Sequence, residues 1–203
     1  MILRQFFVAL VLIGTTAVVT QVVSQDGGKS AEEEMMQKWM EFMTPGAPHQ
    51  EILNTAGSWS SVSEFWTAPG TPAQKGAGSS TITPIMDGRY VVENIDATAM
   101  GMPYQGLGIR GYDNLKKKYV AIWADSMSTG ILMMEGTEIS PGHINYRGTS
   151  PDVMSGEYVP VRFVEKKIDN DNFHFEMYAP GPDGAEFLTM RMHYTRSGAK
   201  SSN

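Results

Sequence analysis

At 203 residues, with 41% apolar residues and a net charge of −6, the chain suits one domain able to bury a continuous core. Aromatic residues spread from Trp39 to Tyr194 argue against disorder over most of it. The lack of cysteine excludes disulfides, thiolate metal sites and cysteine nucleophiles, and an acidic balance with no basic cluster beyond Lys116-Lys117-Lys118 disfavours nucleic acid as a partner.

Residues 1–24 carry one charge, Arg4, followed by an apolar run from Phe6 to Ile13 and then small residues. This is the order of a secretory signal. Gly14-Thr15-Thr16 interrupts what would otherwise need roughly 20 apolar residues to span a membrane. The expectation is therefore export to the periplasm or exterior with cleavage near Ser24, the alternative being an uncleaved N-terminal anchor. Membrane contact is expected through this segment alone.

A polar linker, 25–30, leads to a helical segment, 31–55. Glu32, Glu33 and Glu34 stand where the helix dipole favours acids. Met36, Trp39, Met40 and Met43 recur at three- and four-residue spacing and form a stripe expected to pack on the domain. Pro45-Gly46 ends this helix, and a second short turn carries His49, Ile52 and Leu53.

From Gly57 the pattern changes to short β-rich runs separated by turn residues such as Asp87-Gly88, Asp113-Asn114, Pro141-Gly142 and Pro180-Gly181-Pro182-Asp183-Gly184. These predict strands near 57–66, 76–86, 89–99, 103–112, 117–125, 129–138, 142–149, 157–167, 172–178 and 186–196. Asp87-Gly88 reads as a two-residue hairpin. About ten strands in succession, with no helical crossover, predict an all-β, antiparallel up-and-down sheet over 56–197. A sheet of this size curls until its edges meet, and a barrel of more than eight strands has room for a small ligand. Residues 198–203 are expected to form a disordered tail.

Several ordered motifs carry a resemblance. They are Gly57-Ser58-Trp59, the run Gly106-x-Gly108-x-x-Gly111-Tyr112-Asp113-Asn114, Trp123-x-Asp125-Ser126, Pro180-Gly181-Pro182-Asp183-Gly184 and the closing Tyr194-Thr195-Arg196. Over residues 34–196 the chain resembles the bacterial domain-of-unknown-function family DUF1579. The resemblance implies a lipocalin-like (calycin-type) barrel and implies no activity. The chain departs from the pattern at His193, where the family suggests a small polar residue, and follows it loosely between Pro141 and Pro160.

Gly106-Leu107-Gly108-Ile109-Arg110-Gly111 spells a dinucleotide fingerprint, but that motif must open a helix, and here Tyr112-Asp113-Asn114 turns the chain into another strand. Alternation nominates residues that could face a cavity. Met190, Met192 and Tyr194 share one face of the last strand, against Arg191, His193 and Thr195. Trp123 and Asp125 share a face with Tyr119 and Ala121, in competition with Val120, Ile122 and Ala124. Glu93 lies among Val91, Ile95 and Ala97, and Glu135 among Ile131 and Met133. Arg162 and Glu176 are expected across a strand pair, beside Tyr178, facing either outward as a surface pair or inward. With Trp59 these make up the candidate ligand contacts.

The four histidines show no ligand spacing, so no metal site is expected, and no cofactor is indicated. The leading functional expectation is a non-catalytic protein that binds a small apolar or amphipathic molecule in the barrel. Two alternatives stand beside it: a lyase or isomerase using Glu93, Glu135 or Glu176 with Arg162 and Tyr178, and a haem barrel with His49, His174 or His193 as axial ligand. Oligomeric state is not readable from the residues.

Overall fold

The structure, a computed structural model, describes residues 29–153 and 155–198. The expected signal, most of the linker and nearly all of the expected tail lie outside these residues. Ten strands follow two helices: α1 (Ala31–Met43), α2 (Ala47–Leu53), β1 (Gly57–Phe65), β2 (Gln74–Ile85), β3 (Tyr90–Ala99), β4 (Met102–Asp113), β5 (Lys118–Asp125), β6 (Leu132–Ser140), β7 (His143–Asp152), β8 (Glu157–Lys167), β9 (Asn172–Pro180) and β10 (Glu186–Arg196). Every strand pairs antiparallel with its chain neighbours, and β1 pairs with β10, so the sheet is a closed up-and-down barrel. Each predicted strand is present.

Alternation explains which side of each strand is buried. In β3, Val91, Glu93 and Ile95 point inward while Asn94 and Asp96 are exposed. A register shift between Leu188 and Met190 bends β10, and another lies between Glu138 and Ser140 in β6; such bulges help a sheet curve into a cylinder.

The turn at Asp87-Gly88 is longer than the sequence suggests. Ile85 pairs with Tyr90, leaving a four-residue loop in which Met86, Asp87 and Gly88 all have positive φ. A two-residue turn would place Met86 and Arg89 in the ladder; instead Arg89 donates from Nη2 to the Met43 carbonyl at 3.0 Å.

One end of the barrel is closed by α2, which contacts β3, β4 and the Met86–Gly88 turn and buries His49 and Ile52. Trp59 fastens the α2–β1 connection from below, its Nε1 donating to the Thr55 carbonyl at 2.8 Å. Arg196 fastens it from outside, donating to the Ala56 and Asn54 carbonyls at 2.7 and 3.0 Å and lying 4.2 Å over the Trp59 ring. Gly57 must be glycine here, because its φ is 132° and a Cβ would meet Arg196 Nη1 at 2.6 Å. The opening Gly57-Ser58-Trp59 and closing Tyr194-Thr195-Arg196 motifs are thus two sides of one clasp.

Helix α1 does not pack as expected. Ser30 and Glu33 form a capping box at its start, and Asn114 donates to the carbonyls of Glu41, Phe42 and Thr44 at its end. Yet Met36, Trp39, Met40 and Met43 are 44–58% exposed. The bend at Pro45-Gly46 sends α2, rather than α1, into the barrel end, and the stripe remains on the surface.

Candidate ligand-binding cavity

A cavity of about 460 Å³ occupies the half of the barrel away from α2. Its rim is built from the loops at that end: Met100 after β3, Met127 to Ile131 after β5, and Val153 after β7, with Tyr158 at the start of β8. Its walls are aromatic and sulfur-rich, with Phe163, Phe175, Met177, Met190 and Met192 inward from β8, β9 and β10. Trp123 lies flat against β4. Cβ atoms at Gly106 and Gly108 would meet its indole at 2.4 and 2.9 Å, so the glycines of the apparent nucleotide motif make space for this ring.

Polar groups lie at two depths. Near the mouth, Asp125 accepts from Trp123 Nε1 at 3.1 Å and from the Tyr104 hydroxyl at 3.4 Å, while its other oxygen accepts from the Met127 amide at 2.9 Å. Burial and the Asp125 carboxylate push the Tyr104 hydroxyl well above the usual phenol range. At the floor, Arg110 donates from Nη1 to Glu165 at 2.8 Å and from Nη2 to Thr55 Oγ1 at 3.1 Å. Burial opposes the Arg110 charge, but Glu165 and Glu93 outweigh it and raise its pKa further. Burial also holds Tyr146 and Tyr194 protonated, Tyr146 against Glu165 and Tyr194 against Glu93. The Glu93 Oε1 and Arg110 Nε atoms are buried without a hydrogen-bond partner.

Of the residues nominated from the sequence, Glu93, Trp123, Asp125, Met190, Met192 and Tyr194 line this cavity. Trp59 is inward but lies at the α2 end, edge-on to Phe173 at 4.9 Å and outside the lining. The other four face outward. Glu135 is held by Lys116 and Lys118 at 2.5 and 2.9 Å, whose hydrogen bonds pull its pKa down to about 2; Leu132 and Met134 take the inward side of β6. Arg162 and Glu176 are not partners: Arg162 pairs with Glu186 at 2.7 Å and stacks on Tyr178, while Glu176 pairs with Arg191 at 2.7 Å and accepts from the Tyr178 hydroxyl at 2.7 Å. Phe163, Phe175 and Met177 occupy the inward positions of those strands. The Arg162, Glu176 and Tyr178 side chains therefore cluster on the outer wall.

Tyr104, Arg110 and Tyr146 line the cavity unanticipated, and Glu165, which Arg110 holds, lies behind the floor on the α2 side. Glu165 gave the same signal as Glu93, an acid sharing the parity of Val161 and Phe163, and Arg110 shares the parity of Gly106 and Gly108.

None of the four histidines lines the cavity. His174 and His193 face each other outside across β9 and β10, and His49 is a helix cap, its Nδ1 accepting from the Gly46 amide at 3.0 Å. Burial lowers the His49 pKa, outweighing a raising hydrogen bond that the ring donates to the Tyr112 backbone carbonyl, and Arg89 lowers it further. A depressed folded-state pKa means that the unfolded chain binds the extra proton first. Stability should thus be full above the ordinary histidine value of about 6.5 and fall as pH drops below it. His174, also lowered by burial, adds in the same direction. Chemical denaturation at pH 7.5 and 5.5 checks this; His49→Asn, which keeps a cap acceptor, should flatten the dependence, and an unchanged slope would discount His49.

A family model described as a protein of unknown function (DUF1579) matches residues 44–196. The chain belongs to the DUF1579 family. The matched DUF1579 unit comprises α2 and the barrel, with the clasp at either end of it and α1 outside it. Among solved structures, this DUF1579 barrel is similar to the S-type phycobiliprotein lyase CPES from Guillardia theta, with a TM-score of 0.54, 10% identity, and coverage of 80% of this chain and 98% of that chain. At that identity the likeness establishes a shared fold. No curated protein matches the DUF1579 chain.

Proposed function

We propose that the barrel binds a small amphipathic molecule, held in the cavity between β3–β10 and reached from the mouth opposite α2. One observation carries this reading: a hollow of about 460 Å³ with apolar walls and polar groups at its floor and rim, within the roughly 300–1,000 Å³ range of small-molecule sites. Apolar walls supply affinity, and the few polar groups set orientation. The likeness to a phycobiliprotein lyase puts a bilin among the ligands to try. The charge and apolar run of residues 1–24 support export, which would place this binding outside the cytoplasm.

The test uses Nile red, a neutral dye that brightens in apolar surroundings. Ala121 lies on the inner wall between Arg110 and Met134, so Ala121→Trp should fill the hollow and weaken dye binding tenfold or more while circular dichroism stays unchanged. Equal binding by the filled variant would show that the dye sits elsewhere and remove the proposal's support. Mass spectrometry of protein purified from a native-like host would then identify what co-purifies.

A further inference from the structure

We infer that the cavity's ligand is an organic cation: an apolar body carrying a positively charged, hydrogen-bearing nitrogen that docks on Glu93. This rests on the binding reading above and adds the ligand's charge. Glu93 projects from β3 opposite Gly108, which offers no side chain to meet it. Its residue is 7% exposed, and its Oε1 has no hydrogen-bond partner. A buried carboxylate oxygen without a donor is costly, and a ligand N–H would remove that cost.

The surrounding charge selects the sign. Among the described residues that line the cavity, Arg110 is the sole basic side chain, and it is engaged with Glu165 and Thr55. The lining acids Glu93 and Asp125 form no ion pair with any described residue. The interior therefore carries surplus negative charge at both depths, inside low-dielectric walls that focus its field. The walls reinforce it: Tyr104, Trp123, Tyr146, Phe173 and Tyr194 line the same space, and aromatic faces attract cations. An anionic ligand would meet two carboxylates, against a single guanidinium already turned to Glu165 and Thr55.

Three probes with one body separate the possibilities: dodecylammonium and dodecanoate below their micelle concentrations and dodecanol below its solubility limit, binding to the full chain by titration calorimetry at pH 7. Dodecylammonium is expected to bind at least tenfold tighter than dodecanol, with dodecanoate weakest. Glu93→Gln, nearly isosteric, should cancel the preference for the ammonium, bringing the dodecylammonium and dodecanol affinities of the variant to within about twofold of each other. Equal binding of all three by the unaltered protein, or tightest binding of dodecanoate, overturns the cation inference while leaving the binding reading standing. Binding of none of them defeats the binding reading itself. A Glu93→Gln protein that keeps its fold and its ammonium preference would remove Glu93 as the docking group.

Discussion

Arg110→Met should lower the unfolding free energy of the barrel by about 3–5 kcal/mol, the usual effect of removing one member of a buried ion pair. The guanidinium lies inside the barrel with 12% of its side chain exposed, and Glu165 beside it is 11% exposed. Without Arg110, Glu165 would keep a carboxylate in that interior with neutral tyrosine hydroxyls such as that of Tyr146 beside it and no cation. Methionine retains much of the volume, so the loss reports charge rather than a void. The companion test is Arg110→Met with Glu165→Leu. Removing both charges should recover most of the stability, because exchanging a whole buried pair for apolar groups is often neutral or better. Urea denaturation gives both numbers. A single-variant loss below about 1 kcal/mol, the scale of an exposed pair, would mean that water reaches the pair.

Trp59→Ala carries the second large effect, about 3–5 kcal/mol as for other buried aromatic truncations. Its ring is 2% exposed, edge-on to Phe173 and covered by Arg196, and its Nε1 holds the Thr55 carbonyl. Removal opens a void beneath α2 and releases the clasp that seats the helix. Trp59→Phe keeps most of the packing and drops the hydrogen bond, so its loss should be nearer 1 kcal/mol. Hydrogen exchange distinguishes the two components: in Trp59→Ala the α2 amides should exchange faster than those of β5 and β6. Uniform change across the barrel would show that Trp59 acts through packing alone.

How far the site was legible varied from strand to strand for physical reasons. In β10, Met190, Met192 and Tyr194 alternate with charged or polar neighbours, and period two fixes the inward side. At the start of β6 both faces are apolar: Ile131, just before the strand, and Met133 compete with Leu132 and Met134, and Glu135 shares the parity of the first pair although it belongs to an outer row with Lys118. What settles the matter is the neighbouring strand, since Val120 pairs with Glu135 while inward Ala121 pairs with Met134. Arg162 and Glu176 do stand diagonally across β8 and β9, Arg162 opposite Tyr178 and Val164 opposite Glu176, but the ion pair fails because Glu186 and Arg191 on β10 take the two charges. The α1 stripe had the right spacing for a helix, but spacing carries no information about whether a partner surface exists. Arg110 was hidden inside a glycine-rich run that invited a comparison with nucleotide motifs. Its partner Glu165 stands 55 residues away, a proximity created by closure of the cylinder and visible in no local pattern.

The seam of that cylinder has a consequence for how the molecule comes into being. Ser60 and Thr195, 135 positions apart, meet across it. Every other ladder in the cylinder links segments adjacent in the chain and can zip up as they appear, whereas this last one must wait for the C-terminal strand to be made. Until then the first and latest strands each offer an unsatisfied row of amides and carbonyls, the template on which partly made sheets self-associate. Long-range closure of this kind places folding toward the slow end for its size, so the chain is at greatest risk of aggregation in the interval before β10 has docked on β1.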